Sequence, residues 1–76
     1  MALRDMAGEE IAWEGGTYRV VQVHKSVRFA DGSRGLPVTV IRTEAGLLIP
    51  GLENLGEFML DADEAAAGVV KVLAKR

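Results

Sequence analysis

Residues 17–49 have the sequence TYRVVQVHKSVRFADGSRGLPVTVIRTEAGLLI, and this stretch decides the fold. It contains short runs of β-branched and aromatic residues that are separated by glycine-bearing turns. Such runs are typical of strands joined by hairpins. The stretch therefore predicts the centre of an antiparallel sheet.

A first hairpin is predicted where the chain enters this sheet. The Gly-Gly pair at 15–16 can adopt the positive φ angles of a two-residue I′ or II′ turn without steric cost. In the register that this turn predicts, Trp13 lies opposite Tyr18, and Ile11 lies opposite Val20. The four side chains then share one face of the sheet, where we expect them to form part of the core.

The strand after this turn carries apolar residues on both of its faces. Strict alternation places Gln22 and His24 on the face of Val20, and it places Val21 and Val23 on the other face. Because both faces hold apolar side chains, we expect the strand to be covered on both sides, as in a curled sheet or barrel.

Further turns divide the rest of the stretch. The Asp-Gly-Ser triplet at 31–33 is a strong turn signal. Pro37 cannot donate a ladder hydrogen bond, so we expect it at the first residue of a strand or on an edge. The Glu-Ala-Gly segment at 44–46 suits a type I turn with its glycine in the left-handed position of a bulge. The returning strand then brings Ile49 near Ile41.

The C-terminal segment carries the clearest helix signal. Asp61 is an N-cap candidate, and Asp63 and Glu64 follow in the first turn, where acidic side chains suit the helix dipole. An apolar stripe continues at helical spacing, formed by Ala62, Ala66, Val69, Val70 and Leu73. The pattern predicts a helix over 61–76, in which Gly68 allows a close approach to a neighbouring element.

Length and pattern together predict one small domain. Its 76 residues divide into a frayed arm at 1–8, β-hairpins over 9–60 and the C-terminal helix at 61–76. Within the hairpin region, residues 52–55 predict a 3₁₀ turn or a tight loop closed by Gly56, and residues 57–60 predict a short last strand. The fold class is mainly β with a C-terminal helix, in a small curled antiparallel sheet or SH3-like barrel of five to six strands. The alternative is an α+β fold with the helix packed on one face of an antiparallel sheet.

Composition removes several classes of function. The chain has no cysteine, which excludes disulfides, thiolate zinc sites and thiol catalysis. No run approaches the ~18 apolar residues that a membrane span requires, and the first residues lack the apolar stretch of a signal peptide. We therefore expect a cytoplasmic protein that makes no contact with a membrane.

The charges are unevenly distributed, although the formal net charge is only −2. Residues 17–43 hold five basic side chains against one acid, and the flanking segments are acidic. This basic centre predicts a candidate binding face formed by Arg19, Lys25, Arg28, Arg34, Arg42 and His24. With aromatic residues nearby, such a face is suited to a nucleic-acid backbone. It is equally suited to the acidic flanks of a second copy of the chain.

No catalytic, metal or cofactor site can be assembled from these residues. His24 is the only histidine, and the pair that it forms with Ser26 lacks an orienting acid. Asp61, Asp63 and Glu64 lack the glycine and the spacing of a calcium loop, and helix capping explains them. No G-x-G-x-x-G or Walker pattern is present, so we expect no cofactor.

These observations favour a non-enzymatic binding or assembly module that works as a homo-oligomer or as an accessory subunit of a larger complex. A chain this small with an apolar half leaves aliphatic surface outside, which favours self-association or another protein as partner. The alternative is a nucleic-acid-binding small β-barrel that uses its basic sheet face. An enzyme whose site lies between subunits stays open as a third hypothesis.

Overall fold

The structure is a computed structural model that describes residues 7–75. Most of the predicted arm at 1–8 lies outside the described residues. Within the described range the chain forms seven strands, one short α-helix and a single 3₁₀ turn. In chain order these are β1 (Glu10–Trp13), β2 (Gly16–Val23), β3 (Val27–Arg28), β4 (Arg34–Glu44), β5 (Leu47–Leu48), the 3₁₀ turn (Leu52–Asn54), β6 (Leu55–Asp61), α1 (Ala62–Ala66) and β7 (Val72–Lys75).

The strands form one antiparallel sheet that curls into a half-barrel. Its order is β1-β2-β4-β6-β7, so the 11-residue strand β4 lies at the centre. The two-residue strands β3 and β5 pair with opposite ends of β4. The predicted fold class, mainly β with a helix near the C-terminus, is confirmed.

One face of the sheet forms the core. Strand β4 contributes the alternate residues Leu36, Val38 and Val40, which are all buried. On β6, Leu60 lies opposite Leu36 and Phe58 lies opposite Val38, and both side chains are fully buried. The remaining buried apolar residues are Ile11, Val20, Ala62 and Ala65. This alternation is what a half-buried strand requires.

The first hairpin has a different turn from the one predicted. Its central residues are Glu14 and Gly15, with φ angles of 45° and 82°, as in a type I′ turn. Ile11 therefore lies opposite Tyr18 and not opposite Val20. Because side chains alternate with a period of two, a register error of two residues keeps every side chain on its predicted face. The shared face is confirmed, and it packs into or against the core through Ile11, Trp13, Tyr18 and Val20.

The second hairpin also turns through two residues with positive φ angles. Ala45 and Gly46 have φ angles of 52° and 80°, so the predicted type I turn with a bulge is wrong. The register differs by one residue from the prediction. Consequently the Ile49 N–H donates to the carbonyl of Arg42 at 3.1 Å, and Ile49 does not lie opposite Ile41. A shift of one residue reverses which side chains face the core.

A β-bulge at Val21 changes the faces of strand β2. The register between β2 and β4 shifts between Val20 and Gln22, which leaves Val21 as the extra residue of the bulge. Val23 then lies opposite Val38 and packs against the core, whereas Val21 is 45% exposed. The expectation that Val21 and Val23 share one covered face is therefore wrong.

Pro37 lies inside the central strand, where a proline was not expected. It is buried opposite Met59 of β6, and its carbonyl accepts a hydrogen bond from the His24 N–H at 2.9 Å. The nitrogen and the carbonyl of one strand residue point toward the same neighbouring strand. The Pro37 nitrogen thus faces His24, just past the end of β2 at Val23, so its missing N–H removes only the reciprocal bond to His24 at the end of this ladder.

The predicted helix begins at the expected residue but is much shorter. The Asp61 carboxylate accepts hydrogen bonds from the N–H groups of Asp63 and Glu64, both at 3.0 Å, which confirms the cap. The helix ends after Ala66, and Gly68 follows with a φ angle of 84°, the left-handed conformation that terminates helices. The rest of the predicted helix is wrong, because β7 pairs antiparallel with β6.

Two smaller predictions are confirmed. In the turn at 31–33, the Ser33 N–H and hydroxyl donate to the Asp31 carboxylate at 2.9 and 2.6 Å. These hydrogen bonds stabilise the carboxylate and hold the pKa of Asp31 below its ordinary value of 3.8. The expected 3₁₀ turn covers Leu52–Asn54, and the last hairpin strand is longer than predicted, at Leu55–Asp61.

Candidate functional site

The six residues of the predicted basic face do not lie on one surface of the sheet. Arg19 lies opposite Ile41, whereas Arg42 lies opposite Tyr18. Directly opposed residues share a face and successive residues alternate, so Arg19 and Arg42 are on opposite faces. Lys25 follows the end of β2 and is exposed. The basic residues are therefore distributed around the half-barrel.

Arg19 connects two hairpins through contacts of its guanidinium group. One Nη of its guanidinium donates to the carbonyl of Gly46 at 3.0 Å, and the same atom lies 3.8 Å from the Glu10 carboxylate. Its Nε is buried and has no hydrogen-bond partner among residues 7–75. These contacts tie β2 to both the β1 strand and the β4–β5 turn, and the Arg19 side chain stays 36% exposed.

Arg34 is paired with an acid of the helix. Its Nη donates to the Asp63 carboxylate at 2.6 Å, and this hydrogen bond and charge raise the pKa of Arg34 above its ordinary value. Arg28 lies opposite Arg34 in the β3–β4 pair. Since both members of the Arg34–Asp63 pair are at least half exposed, the pair adds little to stability.

His24 is engaged in the sheet as well. Its Nε2 lies 2.6 Å from the Thr39 hydroxyl, a partly buried hydrogen bond between neighbouring strands. Lys25, Arg28 and Arg42 are exposed and form no salt bridge within the described part of the chain. Three of the six predicted residues thus have internal partners, and the other three form no salt bridge within residues 7–75.

The aromatic residues closest to the predicted face mostly pack inward. The Trp13 and Tyr18 rings lie 6.0 and 5.1 Å from the ring of Phe58, measured between centroids. Lys75 lies over the Tyr18 ring, with its Nζ 4.9 Å from the centroid, and donates to the Tyr18 hydroxyl at 2.9 Å. Phe29 is the more accessible ring, at 36% exposure.

An exposed apolar band follows the second hairpin turn. We call Leu47, Leu48, Ile49, Pro50, Leu52 and Leu55 the apolar band. Leu47 is 73% exposed and Leu52 is 85% exposed, while Leu48 and Leu55 are 49% and 44% exposed. The first four residues of the band line a shallow hollow of about 370 Å³ together with Glu44 and Ala45.

The position of β5 explains why the band is exposed. Strand β5 has only two residues and pairs with Thr43 and Glu44 at the end of β4. The β4–β6 ladder already ends at the Ile41–Leu55 pair, so β5 lies beyond the end of β6. No element within residues 7–75 packs over it. The sequence predicts Leu47 and Leu48 in a paired strand and Leu52 and Leu55 in a turn or tight loop, and it does not predict the exposure of these leucines.

Two further clefts are present. One of about 550 Å³ lies between the two hairpin turns and is lined by Gly15, Gly16, Thr17, Arg42, Thr43, Glu44, Ala45 and Ile49. The Thr43 hydroxyl there donates to the Thr17 hydroxyl, which in turn donates to the Thr43 carbonyl. A second cleft of about 270 Å³ is lined by β1 and by Val70 and Val72, so it separates the two edges of the half-barrel.

Residues 7–75 contain no cluster of three or more side chains that could hold a metal ion. No helix in the same range is long and apolar enough to cross a membrane. Comparison with protein-family models, with curated protein sequences and with solved structures gave no match.

Proposed function

We propose that this protein is a non-enzymatic binding or assembly module, which works as a homo-oligomer or as an accessory subunit of a larger protein complex. The observation that carries the proposal is the apolar band, whose four leucines lie within nine residues and are 44–85% exposed. Exposed apolar surface that is clustered marks interaction sites in soluble proteins, and four exposed leucines in so short a segment favour such a site.

The energy available from covering the band is large for so small a domain. Full burial of a leucine side chain is worth about 1.5–3 kcal/mol relative to exposure. Scaled by their exposed fractions of 73% and 85%, Leu47 and Leu52 together would contribute about 2–5 kcal/mol. A partner that covers both side chains thus gains a substantial part of the free energy that a stable contact requires.

The alternative, a nucleic-acid-binding small β-barrel, has less support. A single-strand binder needs exposed rings for stacking, and Trp13 and Tyr18 pack against Phe58. A phosphate-tracking groove needs several free cations on one surface, and Arg19 and Arg34 lie beside carboxylates. An SH3-like identity of the half-barrel stays a prediction.

The proposal is tested by light scattering in line with size-exclusion chromatography. The wild-type protein is expected to have a mass above that of the 8.2 kDa monomer, and the mass should fall in the Leu47→Gln/Leu52→Gln variant. Val21→Thr/Val27→Thr is the matched control, because these two valines are exposed on other strands and threonine keeps their shape. An equal fall in both variants would contradict a role specific to the band.

The same measurement separates the two functions. Added RNA or DNA oligonucleotides are expected to leave the elution and mass of the wild-type protein unchanged. A complex that dissociates as salt is raised, and that weakens in Arg28→Gln or Arg42→Gln, would place the nucleic-acid function first. A wild-type protein that stays monomeric at its highest soluble concentration would exclude the homo-oligomer and leave the accessory subunit.

A further inference from the structure

The two edges of the half-barrel have free backbone groups. Strand β1 ends one side of the sheet and β7 ends the other. In the β1–β2 ladder the turn closes at the Trp13–Gly16 pair, so hydrogen-bonded pairs occur at Trp13 and Ile11 and alternate with non-bonded pairs. The N–H and C=O groups of Glu10 and Ala12 consequently point away from β2, toward the free edge.

Strand β7 offers a second free edge at the same cleft. Its register with β6 shifts between Met59 and Leu60, which leaves Leu73 as an extra residue whose backbone is unpaired. Leu73 is also 42% exposed. Since β1, Val70 and Val72 line one cleft of about 270 Å³, the two unpaired edges open to the same side of the molecule.

The charges of the two edges are complementary. Residues 10–14 have the sequence EIAWE, and residues 71–75 have the sequence KVLAK. Each segment has three apolar residues between two like charges, and the signs are opposite in the two segments. In an antiparallel pairing centred on Ala12 and Leu73, Glu10 of β1 lies opposite Lys75 of β7. Glu14 and Lys71 lie just outside the two strands, at the other end of this contact.

We infer that β1 of one chain pairs with β7 of a second copy, and that the reciprocal contact closes a two-fold symmetric dimer. Two half-barrels joined in this way leave neither β1 nor β7 as an open edge strand, and covering edge strands is one way in which natural sheets avoid uncontrolled association. Pairing of β1 with β1 is disfavoured, because it would bring four carboxylates together. This inference rests on the proposed assembly function and names one of its contacts. The apolar bands stay exposed in the dimer and are available to join dimers or to hold another protein.

The absence of cysteine allows a clean cross-linking test. Directly opposed strand residues have Cα atoms about 4.5–5.5 Å apart, within the range of a disulfide. Ala12→Cys and Leu73→Cys chains, mixed and oxidised, are expected to form the mixed disulfide dimer faster than either like-with-like dimer. Ser33→Cys in the exposed turn is the control partner for each. Equal rates for all pairs would overturn the inference.

The double variant Ala12→Cys/Leu73→Cys distinguishes a second copy from closure within one chain. Pairing between copies is expected to give a covalent dimer on oxidation. An internal disulfide in an 8.2 kDa monomer would overturn the inference, because it would mean that β1 meets β7 of its own chain. Oxidation at several dilutions and sizing of the products separate the two outcomes.

Exchange of the charges on the two edges distinguishes pairing between copies from a general loss of folding. Glu10→Lys/Glu14→Lys and Lys71→Glu/Lys75→Glu each put like charges on both contacts of a homodimer, so each is expected to weaken dimerisation at least about tenfold. Mixed in equal amounts, the two variants restore opposite charges at both contacts. A heterodimer of near wild-type affinity is expected, and circular dichroism of each variant confirms that it is folded. Failure of the mixture to dimerise would overturn the inference.

The outcomes also separate this inference from the proposed function. If Leu47→Gln/Leu52→Gln lowers the mass and the charge variants do not, the apolar band is the assembly surface and the strand pairing is wrong. If the charge variants dissociate and the mixture recovers, the strand pairing holds whatever the band binds. A wild-type chain that is monomeric in both sets of experiments contradicts the strand pairing and the homo-oligomer together.

Discussion

Replacement of Phe58 by leucine tests the packing at the centre of the core. The Phe58 ring is fully buried, and it makes tilted and edge-on contacts with Trp13 and Tyr18, at interplanar angles of 54° and 68°. These are geometries that the aromatic quadrupole favours. Leucine retains most of the buried apolar surface and removes both ring–ring contacts.

The expected loss follows from the two contacts. An aromatic pair is worth about 0.5–1.5 kcal/mol beyond the area that it buries, so the loss of both pairs predicts a decrease of about 1–3 kcal/mol in the free energy of unfolding. A domain of this length has a stability of roughly 4–11 kcal/mol. The Phe58→Leu variant should therefore still fold. Phe58→Ala, with an expected loss of about 3–5 kcal/mol, reaches the lower end of that range.

The assay is urea unfolding followed by the fluorescence of Trp13, the single tryptophan. Protein concentration is held constant, because association adds to apparent stability. With an m-value of ~1 kcal/mol/M, the midpoint should fall by about 1–3 M. The matched control is Phe29→Leu, since that ring is 36% exposed, and it is expected to cost about 0.5 kcal/mol or less. Equal losses in the two variants would refute the role assigned to the aromatic contacts.

Other expectations follow from local geometry. Asp61→Ala should lower the free energy of unfolding by about 0.5–2 kcal/mol, because two N–H groups lose their acceptor, and an unchanged denaturation midpoint would contradict the cap. Gly15→Ala should lower the free energy of unfolding by about 1–2 kcal/mol, because the φ angle of Gly15 is 82°. Gly16→Ala should be tolerated, because a Cβ there has only ordinary contacts. Thermal melts of the two variants check this difference. The pKa of Asp31 is lowered by Ser33 in the folded state, so the Asp31 carboxylate stabilises the fold above its unfolded pKa and loses that effect as pH falls through the folded pKa. The stability difference between wild type and Asp31→Ala should therefore shrink in acid, and a difference that is constant with pH would show that the carboxylate charge is not involved.

Features that depend on neighbouring residues were predictable from the sequence. The Asp61 cap needs only a side-chain oxygen and N–H groups two and three residues later, and the turn at 31–33 needs only Asp31 and Ser33. Alternation likewise placed Ile11 and Val20 on the core face. It did so even though the turn register was wrong, because the error was an even number of residues.

Features that depend on distant strands were not predictable in this way. The bulge at Val21 lies in the pairing of β2 with the distant strand β4, and it moves Val23 onto the core face. Pro37 is tolerated in mid-strand because β2 ends beside it. The residues after Gly68 have an apolar spacing that suits a helix, but β6 offers a strand edge, and pairing with that edge makes Val72–Lys75 a strand.

Some properties of the candidate site can likewise be predicted from the sequence, and others depend on the tertiary structure. By itself, the sequence determined a small, cysteine-free β domain with a basic centre, acidic flanks and a capped helix start, since composition and nearest-neighbour geometry carry these properties. Only the tertiary structure decided that Arg19 and Arg34 lie beside acids and that Leu47 and Leu52 stay exposed. Exposure and charge pairing depend on which distant segment comes to lie over a side chain, and that is settled by the packing of the whole sheet.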